Sequence, residues 1–306
     1  MTQAALKAVP LALTGLAVAL PLKLKLWNIG GEGQLYAGVV GAGFVALNLP
    51  ELPAAVMVPL VVAAGAAGGC LWALLAAVPR ALGAVDEIIS TLMLNYVAIL
   101  LVDYLVTGPW RSTEALNFPI SDSFPASTRL PVWGTTGLHA GILFPLVAGM
   151  MLGALMMWSK WGFELSMTAS NPSAAVIVGV PVRRNILMTM AIAGALSGIG
   201  GMIEVTMNFG TVQQGISPGY GYIGIVVATL AAGSMLGTVV IAFVMGGLVV
   251  GGLALQTLGV SDGFVLFLQG TILFFALLGS RLGGVRLLQR RERARVEPGE
   301  PLEAVR

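Results

Sequence analysis

Asn28, Glu32 and Gln34 sit in the stretch Trp27-Asn28-Ile29-Gly30-Gly31-Glu32-Gly33-Gln34, between two apolar runs, and Asn95 lies in the middle of a third. Amides and a carboxylate at membrane depth are costly unless they find partners. Gly30, Gly31 and Gly33 break a helix, and broken membrane helices turn their freed backbone groups toward a substrate or a cavity. A tight turn at the inner face, with Glu32 capping a helix N-terminus, accounts for the same residues without a pathway.

A second candidate is the loop that starts Lys160-Trp161-Gly162-Phe163-Glu164 and ends ASNPSAAVIVGV over residues 169–180. Asn171 is suited to cap a helix, Pro172 to begin it and Gly179 to end it. That predicts a short cytosolic helix of about two turns. Its surface is small and apolar (Ala174, Ala175, Val176, Val178), which fits either a groove on a partner or the lipid surface. A third is Ser217-Pro218-Gly219-Tyr220-Gly221-Tyr222, preceded by Gln213 and Gln214, which reads as an aromatic belt or as the external mouth of a pathway.

Catalytic chemistry has no foothold. The lysines are Lys7, Lys23, Lys25 and Lys160, so no Gly-Lys-Ser/Thr phosphate loop exists. Gly194-Ala195-Leu196-Ser197-Gly198 has the wrong spacing for a nucleophile elbow. One cysteine, Cys70, and one histidine, His139, leave no intrachain disulfide and no Cys- or His-rich metal site. Within the expected spans the charges are Asp103 and Glu204, both near outer ends, and this scarcity argues against proton or sodium coupling.

The elements that must position these residues follow from composition. Of 306 residues 57% are hydrophobic and 10% charged, against about a quarter charged in soluble domains. A polytopic membrane protein is what remains, and 41 glycines suit close helix packing there. Nine apolar runs stand out: 8–22, 34–49, 53–78, 88–106, 140–158, 186–206, 221–236, 238–258 and 264–280. The first, second and seventh are short enough to be parts of broken helices. The first lacks a clear cleavage site and is not read as a signal peptide. With the 159–185 loop inside, 13 basic residues fall inside and three (Lys7, Arg111, Arg129) outside, seven of the 13 in the tail. An odd number of spans starting outside points to an absent upstream helix or a late start at Met1. Residues 1–280 are thus expected to form a transmembrane domain, with an ordered external cap at 107–138, and 281–306 a basic cytosolic tail anchored on anionic lipid. Gly65/Gly69, Gly194/Gly198, Gly233/Gly237 and Gly247/Gly251, each four apart, are expected at tight crossings.

Residues 27–36 (WNIGGEGQLY), 86–96 (DEIISTLMLNY) and 169–180 are similar to the permease subunits of ABC importers. The family is the one serving ribose and other simple sugars, branched-chain amino acids and nucleosides. The likeness continues through IAGALSGIGGMIEV (192–205) and GYGYIGIVVATLA (219–231), and covers about residues 8–282. The Trp-Asn-Ile-Gly-x-Glu-Gly-Gln form resembles the nucleoside branch of the guanosine or purine type, where ribose permeases show a Gly-Ile-Asp-Leu-Ser-type segment. The resemblance implies an all-α polytopic bundle of about nine transmembrane helices. That is the ten-helix architecture of the vitamin B12 importer without its first helix, since the coupling loop here follows the fifth run rather than the sixth helix. It implies a non-enzymatic subunit of a bacterial inner-membrane importer. It also implies no cofactor on this chain, a cytosolic ABC ATPase that binds the ATP, a second and different permease chain, and an extracytoplasmic substrate-binding lipoprotein. Nucleic acid is not among the implied partners; membrane lipid is. Asn171, Pro172, Ala174, Ala175 and Gly179 fall on the ATPase-contacting element, with Val180 in place of the usual isoleucine. Asn28, Glu32, Gln34 and Asn95 are expected along the translocation pathway, since amides and a carboxylate suit nucleoside hydroxyls and base edges. A simple-sugar or branched-chain amino acid permease is the alternative within the class. A proton-coupled secondary transporter and a membrane-embedded structural subunit are alternatives outside it.

Overall fold

The computed structural model describes residues 2–279 except 116, 117, 135, 136, 262, 265, 266, 268, 269, 272, 273, 276 and 277. The expected basic tail at 281–306, and much of the run 264–280, lie outside the described residues.

The first apolar run extends back over its polar flank to form α1, Thr2–Leu22. Every residue from Ala8 to Pro21 is buried, as expected of a helix that is apolar all round. α1 is therefore the central pillar, packed on by later helices. They are α2 (Gly31–Asn48), α3 (Ala54–Ala81), α4 (Glu87–Thr107), α5 (Leu143–Trp158), α6 (Lys160–Ser170), α7 (Pro172–Ile177), α8 (Val182–Ile203), α9 (Tyr220–Leu230) and α10 (Met235–Thr257). α8 continues as a π-helical turn over Glu204–Phe209, closed by Gly210 in the left-handed conformation. Among the described residues six helices are long and apolar enough to cross a membrane; of the nine expected runs, the last, 264–280, is only partly described. The run 34–49 became α2, whose first turn carries Glu32 and Gln34, and 221–236 split into α9 and the start of α10. With 11 residues, α9 is about 16 Å long, half of a hydrocarbon core of about 30 Å.

α3 and α8 meet backbone to backbone. A Cβ on Gly69 would collide with the Gly194 carbonyl oxygen, and one on Gly198 with that of Gly65. Gly38 brings α2 against Gly198 in the same way. Two of the four expected glycine pairs thus form one seam. The other two do not: Gly233 forms a left-handed turn (φ +78°), and a Cβ on Gly247 or Gly251 meets nothing within 4 Å.

The connections gather at two ends. At one, Glu87 accepts from Trp27 N and pairs with Arg80, while Leu24, Leu26, Leu165 and Ile186 pack together. This is the end that carries the 159–185 loop. At the other, the described residues between 108 and 142 fold over the bundle as a cap. Ser121 N donates to Val212 O at 2.8 Å and Phe124 N to Gly210 O at 2.8 Å. Two short antiparallel strands, β1 (Val132–Trp133) and β2 (Leu138–His139), complete the cap. His139 accepts from Gly141 N through Nδ1, and its burial pushes the imidazole pKa down.

Candidate functional site

The chain leaves α1 at Leu22 and doubles back beside it, so that Asn28 Nδ2 donates to Ala17 O at 3.0 Å. Asn28 and Gln34 exchange amide hydrogen bonds at 3.1 and 3.0 Å. Asn95 reaches across from α4: its Oδ1 accepts from Gly33 N at 2.8 Å, and its Nδ2 donates to Ile29 O at 2.9 Å. Glu32 bonds outside its own helix, its Oε2 accepting from Gly221 N in the first turn of α9 at 2.7 Å. Ser217, just ahead of α9, also hydrogen-bonds the Glu32 carboxylate. The four expected pathway residues are therefore brought together, and all four are buried (Asn95 0%, Asn28 and Gln34 1%, Glu32 2% exposed). Their partners are mostly backbone groups freed where α2 and α9 begin, each of which would cost about 1–3 kcal/mol if left unpaired. Glu32 does cap a helix N-terminus, but that of α9, and at mid-depth. Thr14, in the middle of α1, donates to Tyr220 O at 3.0 Å and sets that depth. Gly221 is required because a Cβ there would collide with Glu32 N.

Closer to the cap is a cluster that the residue pattern did not reveal. Lys7, expected as an external flank, lies inside α1 with its Nζ 2.6 Å from Glu204 Oε1. Tyr220 Oη donates to the same oxygen at 3.2 Å, and the Asn208 amide donates to Oε2. Lys7 Nζ also sits 5.4 Å from the Phe209 ring centroid. Glu204 is wholly buried and Lys7 is 18% exposed. Opposite charges on two apolar runs were the available signal. Lys7 lies one residue ahead of the apolar run 8–22, where hydropathy alone makes it a flank.

At the opposite end Asn171 caps α7, accepting from Ala174 N at 3.1 Å, and Gly179 closes it at φ +85°. The helix has six residues, under two turns. The preceding stretch, expected as loop, is α6, capped by Ser159 and tied to α8 by Asn185 Nδ2 donating to Glu164 Oε2 at 3.0 Å. Ala175, expected on the surface, is fully buried. The exposed face is Val176, Ile177 and Val178, at 61%, 85% and 62%.

A family described as the permease component of a branched-chain amino acid transport system matches residues 1–277. The chain belongs to that family. The permease is 34% identical over 289 residues to the glucose ABC transporter permease protein of Haloferax volcanii, covering 90% of this chain and 76% of the relative. It is 34% identical over 250 residues to the guanosine ABC transporter permease protein of Bacillus subtilis (80% and 71%). With the nucleoside ABC transporter permease protein of Lactococcus lactis it shares 28% over 277 residues (87% and 76%). No solved structure matches the permease. It is thus an ABC transporter permease of the simple-sugar and nucleoside kind, a multi-pass membrane protein and a transport component rather than an enzyme. A permease of this kind works with an ATPase and a substrate-binding protein.

Proposed function

We propose that the permease imports nucleosides. What carries this reading is the stretch Trp27–Gln34, which resembles the nucleoside branch and is the segment that folds into the buried polar knot. Two of the relatives are named for guanosine and nucleoside transport, and a third for glucose, which is the competing substrate. The pathway runs beside the knot of Asn28, Glu32, Gln34 and Asn95. A second, related permease chain completes the pore, and a substrate-binding lipoprotein delivers to its outer face. This chain carries no cofactor, the ATP being bound by the partner ATPase. Coupling runs through the segment Asn171, Pro172, Ala174, Ala175 and Gly179, which presents Val176, Ile177 and Val178 to the ATPase.

The test is uptake by the whole transporter in liposomes. ATP-dependent accumulation of labelled guanosine that excess glucose does not compete supports the reading; glucose uptake that guanosine does not compete overturns it. For coupling, Ile177→Arg is expected to lower substrate-stimulated ATP hydrolysis by about tenfold with assembly intact, since a charge would be buried at the contact. Normal coupling in that variant would remove α7 from the mechanism.

A further inference from the structure

α4 meets the bundle along one narrow stripe, with Asn95, Ala98 and Val102 buried and Tyr96, Val97 and Leu100 exposed. The two flanks of that stripe differ. At about 100° per residue, Asn95, Asp103 and Tyr96 follow one another around one flank, and Val97, Leu101 and Leu94 around the other. The second flank carries no charged group: Ser90 there bonds its own helix through Asp86 O, Tyr104 stands at its outward edge, and the rest is hydrocarbon, which lipid satisfies. The first holds a carboxylate and a phenol, which lipid does not. Asp103 is one turn from the outer end of α4, and its carboxylate takes no hydrogen bond or ion pair among the described residues. Tyr222 of α9 stands beside this flank, 37% exposed, with Asn95 Nδ2 3.5 Å from its hydroxyl. It lies within electrostatic range of both Tyr96 and Glu32. Behind these residues the knot is closed upon itself, so it holds the flank in place and has little left to offer a passing ligand.

We propose that Asp103 and Tyr96 of α4, with Tyr222 of α9, form this subunit's wall of the translocation pathway, and that the wall takes a polyhydroxylated substrate. An ionised carboxylate only accepts, and a vicinal pair of hydroxyls, as on ribose or a hexose, supplies two donors to it. The tyrosine rings offer flat apolar faces to a sugar ring or a base, with an O–H left to donate at the edge of each. This deepens the proposed function. It rests on a hydroxylated substrate, not on that substrate being a nucleoside.

Cys70 is the sole cysteine, so a Cys70→Ala background permits single-cysteine probes. In the assembled transporter, Tyr96→Cys is expected to react with a membrane-impermeant maleimide and to be shielded by guanosine or glucose, whichever is transported. Val97→Cys, on the hydrocarbon flank, is expected to stay unlabelled. Asp103→Asn is expected to raise the KM for uptake about tenfold, the scale of one lost hydrogen bond to a charged group, with the amount in the membrane unchanged. An unchanged KM in Asp103→Asn overturns the proposal. So does labelling of Tyr96→Cys that substrate does not slow; this arm decides alone if Asp103→Asn fails to insert. Glucose transport with these same effects would overturn the nucleoside reading and keep the wall. Guanosine transport without them would keep the nucleoside reading and discard the wall.

Discussion

α3 and α4 are joined by one short turn, yet they are held to the molecule in opposite ways. α3 lies against α8 with glycine facing glycine, so that carbonyl oxygens touch where side chains would normally stand. α4 touches the bundle by a stripe of side chains and leaves most of its surface outward. In lipid there is no hydrophobic drive between helices, and close backbone packing must supply the attraction. The seam has that packing and no slack. The α4 edge has neither, and it carries Asp103 and Tyr96, whose side chains take no hydrogen bond among the described residues. The contrast separates a scaffold from a surface that meets something else.

The largest effect is expected at the seam. Gly198→Val drives a branched side chain into the Gly65 carbonyl and the backbone of Gly69, neither of which can rotate away. A loss of about 3 kcal/mol or more is expected, read as absence of folded protein in detergent. Normal thermal stability of that variant would break the contrast. Lys7→Met should come next. It removes the only cation beside Glu204 among the described residues and leaves a buried carboxylate with Tyr220 and Asn208 alone. The loss is expected at about 2 kcal/mol, below the full penalty for a buried pair because Lys7 is partly exposed, and thermal denaturation measures it. Pairing it with Glu204→Gln should recover part of the loss, because the stranded charge is then gone. The smallest effect is expected at Gly247→Ala. It meets open space in this chain and should stabilise α10 by up to about 1 kcal/mol. If Gly247→Ala instead lowers the stability of the assembled transporter but not of the isolated permease, the open glycine face is a second seam between subunits.

Legibility followed the range of the interaction. The Asn171 cap, the Pro172 start and the Gly179 stop of α7 span nine positions, and the local rules that predicted them hold in the structure. Spacing four apart marked Gly65/Gly69 and Gly194/Gly198 as one-faced pairs but said nothing of partners. The same spacing at Gly247/Gly251 faces open space. The polar residues and Gly162 of α6 read as loop; Ser159 and the contacts of Trp161 and Leu165 with the neighbouring helices make it a helix. Ala175 looked like surface because α7 is short. Which face turns inward was set by α6 and α8, not by the six residues themselves.

The amino-acid sequence by itself determined that this chain lives in a membrane, that glycines punctuate it near Gly30 and Gly219, and that it holds no Gly-Lys-Ser/Thr phosphate loop. Those conclusions need only composition, breakers and missing motifs. Tertiary structure alone decided which polar residue answers which. Glu32 finds Gly221 across 189 positions and Lys7 finds Glu204 across 197. It also decided that Asn28 and Asn95 close on backbone groups and Gln34 on the Asn28 amide, while Tyr96 is exposed and Asp103 half-buried. A buried polar group takes whichever donor or acceptor packing brings within about 3 Å, and in a bundle that partner comes from another helix.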